Sequence, residues 1–464
     1  MFKNDTDVGA YLRRYRLKKK MPVSQILVLG FFAVICIGTL LLMLPISTVA
    51  RESASLETAA FTAVSATCIT GLSVVDTITY WSAFGRAVIL ILIQIGGLGF
   101  MTFTVLFSML LRRTITPRER LIITQSLGLS SDEGTVKLVR RILLGTLIIE
   151  GSGALVLSTQ FIPLFGVGDG IVKSIFHSVS AFCNAGFDLM GSYSGPFSSL
   201  AAFRGNYVVN IVIMLLIITG GIGFLVWTDF VEFFTKRKRF SVYSKFVLVC
   251  TASLILIGAL CTLCFEWSNP ATLGELPIHE KLLASFFHSV TTRTAGFATV
   301  DNAAFTESTK IITILLMFTG GASASTAGGV KANTIGLLVY AVFATAAGKS
   351  DIVIFKRRVS HDNIMRALSV VSLTILISSA AAFGVMLSDN VPFISALYET
   401  VSAVATVGLS LSITPALGTV SHVLCMLLMF FGRVGILTIT YSIMMRITSS
   451  KSAITYPDAN MLVG

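Results

Sequence analysis

The chain has 464 residues, 54% hydrophobic and only 12% charged, with a formal net charge of +12. Apolar runs this long and continuous exclude a soluble domain and indicate a polytopic membrane protein. No folded basic domain is present to bind nucleic acid, so the positive charge reads as a topology and lipid-headgroup signal.

Residues 1–22 form a basic lead-in that ends at Pro22 and holds seven Lys and Arg. They contain no apolar core with a cleavage site, so no removable signal peptide is expected. Four tandem units follow, each read as outer helix, half-helix, turn and inner helix. Unit one (23–111) uses 23–46, 56–67, 68–74 and 84–111. Unit two (112–233, with its preceding connection) uses 138–164, 172–182, 183–189 and 207–233. Unit three (234–348) uses 246–265, 280–290, 291–299 and an overlong 311–348. Unit four (349–446) uses 365–387, 393–404, 405–410 and 422–446, and a tail spans 447–464. The eight outer and inner segments have the roughly 20 apolar residues that a span needs, and the half-helices are too short to cross. The predicted fold is thus all-α, with four helix/pore-helix/turn/helix units in a pseudo-fourfold arrangement around one pore.

The repeat is anchored by Gly71, Gly186, Gly296 and Gly408, spaced 115, 110 and 112 positions apart. Each follows a Ser/Thr/Ala-rich run. Non-helical backbone at membrane depth is tolerated only where protein or water satisfies it. Carbonyls turned to a common axis can replace a cation's hydration shell, and glycine permits the backbone conformations this requires. Each half-helix also aims its partly negative C-terminal end at the same point. The candidate filter is therefore Thr70, Gly71, Asn184, Ala185, Gly186, Thr294, Ala295, Gly296, Val407 and Gly408. Arg293 is expected to point away from it and to pair with carbonyls or an outer-face carboxylate, with Asp188 and Asp301 as candidates.

A second mark recurs on the inner helices at Gly96-Gly97-Leu98-Gly99, Gly220-Gly221-Ile222-Gly223, Gly320-Gly321 and Gly432-Arg433-Val434-Gly435. Close helix packing through small residues accounts for units one, two and four. Unit three differs. Gly320, Gly321, Ala322, Ser323, Ala324, Ser325, Thr326, Ala327, Gly328 and Gly329 include no bulky side chain and suit a flexible loop between two half-helices. The gate-loop segment, 320–331, would obstruct the inner cavity and move to open it. Arg433, near the middle of the last inner helix, needs a cavity or a partner at that depth and is expected to hold this loop closed. Glu150 reads as an interhelical hydrogen-bonding group.

Of the 35 Lys and Arg residues, 26 fall in the N-terminus, the 112–141, 236–245 and 349–366 connections and the tail with the adjoining Arg446. That side is expected to be cytoplasmic. Glu52, Asp76, Asp169, Asp188, Glu266, Glu275, Asp301, Glu307 and Asp389 lie toward the other face, where they would concentrate cations. Cys261 and Cys264 lack a second ligand pair at zinc spacing. Gly348-Lys349-Ser350 lacks the P-loop glycine, since Phe343 holds that place, so no nucleotide is expected on this chain.

Taken together, Ser65-Ala66-Thr67-Cys68-Ile69-Thr70-Gly71-Leu72, Asn184-Ala185-Gly186-Phe187, Arg293-Thr294-Ala295-Gly296-Phe297 and Ala405-Thr406-Val407-Gly408-Leu409 resemble the filter sequences of the Trk/Ktr/HKT potassium transporter superfamily. The likeness is strongest to bacterial Ktr membrane subunits (KtrB type), and it extends to Gly96–Phe100, the 320–331 loop, Phe431–Gly435 and Tyr456-Pro457-Asp458. It implies K+ as permeant ion, uptake in such systems often stimulated by Na+, a homodimer with one pore per subunit, and a cytosolic nucleotide-binding RCK-type regulatory ring (KtrA/KtrC-like). By the same resemblance, 320–329 corresponds to the intramembrane gate and Arg433 to the arginine that holds it. Cys183 and Thr292 depart from the usual Asn and Pro. The implied localisation is a bacterial cell membrane, multi-pass, with both termini cytoplasmic. Two rivals stand beside this reading. A Na+- or H+-coupled symporter is the nearer, although the twofold inverted repeat usual for one is missing. An intramembrane enzyme would have to use His177, His288, Asp188 or Asp301, which lack paired ligands.

Overall fold

The computed structural model describes residues 23–99, 135–349 and 351–435. The lead-in 1–22, the segment 100–134, the inner part of the last helix (436–446) and the tail, with Tyr456-Pro457-Asp458, lie outside the described residues. The described chain is helical apart from one short hairpin, in which β1 (Val353–Ile354) pairs antiparallel with β2 (Arg357–Arg358).

Unit one comprises α1 (Val23–Leu42), α2 (Leu56–Thr67) and α3 (Ala83–Leu98). Unit two comprises α4 (Thr135–Phe165), α5 (Val167–Phe182), α6 (Tyr207–Gly221) and α7 (Phe224–Lys236). Unit three has α8 (Val242–Glu266), α9 (Ile278–Thr291), α10 (Glu307–Phe318) and α11 (Ala332–Ala346). Unit four has α12 (His361–Asp389), α13 (Phe393–Ala405) and α14 (Thr419–Val434). Side-chain caps start several of them: Ser55 Oγ accepts from Thr58 N, Ser82 Oγ from Gly85 N and Asn206 Oδ1 from Val209 N, at 3.1, 3.3 and 3.1 Å. Such caps are typically worth about 1 kcal/mol each.

Among the described residues, the four outer helices α1, α4, α8 and α12 are long and apolar enough to cross a membrane, and the bent pair α6/α7 adds a fifth span if taken as one. In units one, two and four the inner helices correct the sequence reading, stopping at the glycine mark instead of running through it: α3 is capped by Gly99 (φ +82°), α6 ends before Gly223 (φ +95°) and α14 is capped by Gly435 (φ +94°). In unit three α10 ends at Phe318, just before the loop expected at 320–329. In unit two the expected continuous 207–233 helix is broken at Ile222-Gly223, and α7 departs at 99°. The reason is local: a left-handed residue cannot continue a right-handed helix, and glycine takes that conformation without steric cost.

Polarity is layered inside out. Leu147, Ile148 and Leu155 of α4 are 66–72% exposed, as befits a surface facing lipid tails. The short helices α2, α5, α9 and α13 are enclosed at the centre although they are rich in Ser and Thr, and Ser65, Ser180, Ser289 and Ser402 are fully buried. Unit four closes back on unit one. Phe61, Val64, Cys68 and Leu72 pack with Val404, Cys425, Leu428 and Met429 in one apolar cluster. Glu57, in the first turn of the half-helix α2, meets His422 Nδ1 through Oε1 at 2.5 Å and accepts from Thr419 Oγ1 through Oε2 at 2.9 Å, at the start of α14. Hydrogen bonds from His422 and then Thr419 hold the Glu57 carboxyl below its ordinary range.

Candidate cation pathway

The C-terminal ends of α2, α5, α9 and α13 run into four turns of one pattern. Gly71, Gly186, Gly296 and Gly408 have φ of +88°, +70°, +82° and +89°. Two residues earlier, Ile69, Asn184, Thr294 and Thr406 are also left-handed, at +54°, +57°, +73° and +52°. Asn takes that region readily, but β-branched Ile and Thr do so only where the surroundings impose it.

The four glycines form a closed ring in chain order. A Cβ on Gly71 would lie 2.6 Å from Ala185 O, one on Gly186 2.9 Å from Ala295 O, and one on Gly296 2.6 Å from Val407 O. A Cβ on Gly408 would overlap Thr70 O, which closes the circle. The structure therefore brings together Thr70, Gly71, Asn184, Ala185, Gly186, Thr294, Ala295, Gly296, Val407 and Gly408, all at the convergence of four half-helix C-termini.

Hydroxyls not singled out from the sequence fix these turns. Ser65 Oγ accepts from Gly71 N at 3.0 Å, and Ser402 Oγ accepts from Gly408 N at 3.1 Å. In the other two units the hydroxyl donates: Ser180 Oγ to Phe187 O and Thr291 Oγ1 to Phe297 O, each at 2.7 Å. Their signal in the sequence is a Ser or Thr five or six residues before each glycine. The side chains of Thr70, Asn184, Thr294 and Thr406 are fully buried, yet their polar atoms have no hydrogen-bond partner among the described residues. Buried polar atoms left unpaired cost about 1–3 kcal/mol each, so their concentration at one level suits a hydrated or partly dehydrated cation.

Beneath the ring, the inner-helix glycines make room for the half-helices. A Cβ on Gly96, Gly220 or Gly432 would overlap the carbonyl oxygen of Thr67, Phe182 or Val404. Close packing, the sequence explanation for these glycines, thus holds for the first glycine of each mark, while Gly99, Gly223 and Gly435 end the helices.

Residues 319–331 form an irregular loop between α10 and α11. It is stitched to the break in unit two: Ala322 N donates to Gly221 O at 2.8 Å, Thr326 N to Gly220 O at 3.2 Å, and Phe224 N to Ala324 O at 2.7 Å. Thr326 Oγ1 donates to Phe182 O at 3.0 Å. A Cβ on Gly328 would overlap the Thr406 hydroxyl, so the loop lies directly against the fourth turn. Gly320, Gly321, Ala322, Ser323, Ala324, Ser325, Thr326, Ala327, Gly328 and Gly329 thus sit immediately under the glycine ring. Arg433 donates through NH1 to Thr326 O at 2.7 Å and through NH2 to Gly97 O at 3.0 Å and to Gly96 O. One guanidinium thereby joins the unit-three loop to the end of the unit-one inner helix. Lys331, given no role from the sequence, donates to Ala327 O at 2.7 Å and Gly328 O at 3.2 Å. Both cations line a cavity of about 250 Å³ together with Phe31, Gly97 and Phe224.

Arg293 points away from the ring. It takes the carbonyl option, donating to Thr251 O at 3.0 Å. Asp188 and Asp301 are not its partners; they accept from Met190 N and Ala303 N, at 2.9 Å each. Glu150 accepts from Gln94 Nε2 at 3.2 Å and lies 3.8 Å from Cys183 Sγ, joining the middle of α4 to α3 and to the C-terminal cap of α5. His177 Nδ1 meets Lys173 O at 2.7 Å and His288 Nε2 meets Thr313 Oγ1 at 3.0 Å. Among the acidic groups expected toward the outer face, Glu266 staples a loop. Glu266 is fully buried and accepts from Thr272, Asn269, Thr306 and Thr309. Glu399, inside α13, likewise accepts from Ser410, Leu411 and Thr414.

The family model described as "TrkH: Cation transport protein" matches residues 14–453. The chain is 42% identical over 441 residues to Ktr system potassium uptake protein B of Bacillus subtilis, covering 95% of this chain and 96% of the relative. It is 36% identical over 457 residues to the potassium/sodium uptake protein NtpJ of Enterococcus hirae, covering 98% and 100%. Its fold matches the crystal structure of the potassium transporter TrkH from Vibrio parahaemolyticus with a TM-score of 0.71 at 16% identity, covering 91% of this chain and 85% of that one.

Proposed function

The chain belongs to the TrkH family of cation transport proteins, and from that premise we propose that it is the potassium-translocating membrane subunit of a Ktr-type uptake system. It is a multi-pass membrane transport protein and not an enzyme, as its relatives are. The observation that carries the potassium reading is the closed ring of Gly71, Gly186, Gly296 and Gly408, each in a left-handed turn at a half-helix C-terminus. Carbonyls of Thr70, Gly71, Asn184, Ala185, Gly186, Thr294, Ala295, Gly296, Val407 and Gly408 would take the place of water around K+. Permeation is channel-like and driven by the membrane potential, worth roughly 2.3 kcal/mol per charge per 100 mV.

Residues 320–329 act as the gate in this reading, with Arg433 as its clip. Thr326 O would be released from Arg433, and the loop would leave the underside of the ring. A homodimer of such subunits docks on a cytosolic nucleotide-binding ring that supplies the free energy for that movement. The four units run 23–111, 112–233, 234–348 and 349–446 around one pore, and both termini face the cytoplasm. Na+ acts as an activator, or as a second permeant ion in line with the name of the potassium/sodium uptake protein of Enterococcus hirae. Expression in a bacterial strain stripped of its own potassium uptake tests the reading. Growth at limiting K+ is expected when the cytosolic partner is supplied. Growth no better than that of the parent strain, with the protein present in the membrane, would contradict it.

A further inference from the structure

At its break, the chain turns by 99° from α6 into α7. Since α6 runs with the spanning helices, α7 lies close to the membrane plane, at the end of the molecule that carries the basic 236–245 connection. Its first turn is tucked into the protein, with Phe224 and Val226 buried. Its second half projects. Phe230, Val231, Phe233 and Phe234 are 42%, 53%, 42% and 73% exposed. At 100° per residue these four share one side of the helix, opposite Glu232, Thr235 and Lys236. Phe240 folds back onto that side, stacked on Phe233 at 5.1 Å and edge-on to Phe230 at 5.3 Å, which draws 236–240 into a tight loop. Within it, Lys236 and Lys238 both pair with the single carboxylate of Glu232, at 3.3 and 3.1 Å. The guanidiniums of Arg237 and Arg239 have no ion pair or hydrogen bond among the described residues.

We propose that α7 and the 236–240 loop form an interfacial binding site for anionic phospholipid. Phe230, Val231, Phe233 and Phe234 would enter the boundary between headgroups and acyl chains, and Arg237 and Arg239 would take the phosphates. The amphipathic side, the in-plane direction and the two guanidiniums without a partner among the described residues agree on this one occupant. An acidic protein surface would match the arginines but leave the phenylalanines in water. The site is mechanically tied to the loop above it. Phe224 N at the start of α7 donates to Ala324 O at 2.7 Å, and Tyr243 OH, just beyond the basic connection, donates to Ser323 O at 3.0 Å. Lipid held here therefore favours the stitched position of 319–331, a consequence that rests on the gating reading, whereas the binding site does not.

The test uses the full chain and reads lipid binding rather than ion flux, so its failure is separable from failure of the proposed function. Phe234→Trp, at an exposed position, reports depth in vesicles of brominated phosphatidylglycerol and phosphatidylcholine. The added emission should be blue-shifted and quenched most by bromines near the headgroup. In native mass spectrometry, Arg237→Gln/Arg239→Gln should lower retention of phosphatidylglycerol relative to phosphatidylcholine about 25-fold, each arginine near an anionic surface being worth about fivefold. Water-like emission that brominated lipid leaves unchanged would overturn the proposal, as would an unaltered phosphatidylglycerol preference. Shielding of the introduced indole only when the cytosolic partner is added would also overturn it and assign this face to protein docking.

Discussion

Gly71 tolerates no side chain, for two separate reasons. Its φ of +88° disfavours any L residue, and a Cβ would stand 2.6 Å from Ala185 O, a backbone atom that cannot swing aside. Gly71→Ser is therefore expected to displace the Ala185 carbonyl from the ring as well as altering its own turn. Discrimination of K+ over Na+ should fall by about tenfold or more, the equivalent of about 1.4 kcal/mol; unchanged selectivity would remove Gly71 from the filter. Arg433 acts over a longer reach, because its two nitrogens serve Thr326 O and the Gly96 and Gly97 carbonyls at once. A lysine places a single charge on a flexible stem and cannot reproduce that fork. Both Arg433→Ala and Arg433→Lys should raise partner-free flux several-fold, measured as 86Rb+ uptake. A folded Arg433→Ala protein with flux at the parent level would show that the clip does not hold the gate. The role of glycine was legible at this scale because four glycines recur at matched intervals. The roles of Ser65, Ser180, Thr291 and Ser402 were not, since a hydroxyl in a Ser/Thr-rich half-helix does not announce which one turns toward the backbone.

The break in unit three and the break in unit two illustrate what an element's sequence can and cannot convey. Ten residues without a bulky side chain announce a loop at 320–329, but Gly220-Gly221-Ile222-Gly223 sits in an otherwise apolar run that reads as one helix. Only tertiary contacts distinguish them: the Gly220 and Gly221 carbonyls are taken by Thr326 N and Ala322 N, which substitutes for helix continuation. Deleting several residues within 322–328 removes both stitches and should raise flux without the cytosolic partner; absence of any rise in a folded deletion variant would sink the gating role. At the outer end, Glu57 on α2 and His422 on α14 join the first and last units. The Glu57 pKa is lowered from its ordinary 4.5, so its stabilising contribution is full above that value and is lost as pH falls through the lowered one. The melting temperature of the wild type should fall more steeply below about pH 4.5 than that of Glu57→Gln, as followed by differential scanning fluorimetry. Parallel pH profiles would show that this contact does not couple the two units.

Across the whole molecule, the ordering of polarity explains why a chain with 54% hydrophobic residues encloses a polar centre. Leu, Ile and Phe on α4 and its counterparts face lipid, while Ser, Thr and the side chains of Thr70, Asn184, Thr294 and Thr406, without partners among the described residues, line the middle. The four half-helices and their left-handed glycine turns were readable because a half-helix and a glycine recur at matched intervals. The particular residues by which unit four meets unit one were not, because contacts such as Phe61 with His422, 5.1 Å between ring centroids, join residues at opposite ends of the chain, without any local signature. Several acidic groups are spent on stapling loops, among them Asp188, Glu266, Asp301 and Glu399. The central claim is that this ring conducts K+ selectively under an electrical driving force. It is tested most directly by cation flux into proteoliposomes containing the purified chain and its cytosolic partner, with K+ or Rb+ set against Na+ at an imposed potential. The account predicts uptake that scales with the potential and favours K+ and Rb+; flux that is indifferent to the potential, or equal for Na+ and K+, would contradict it.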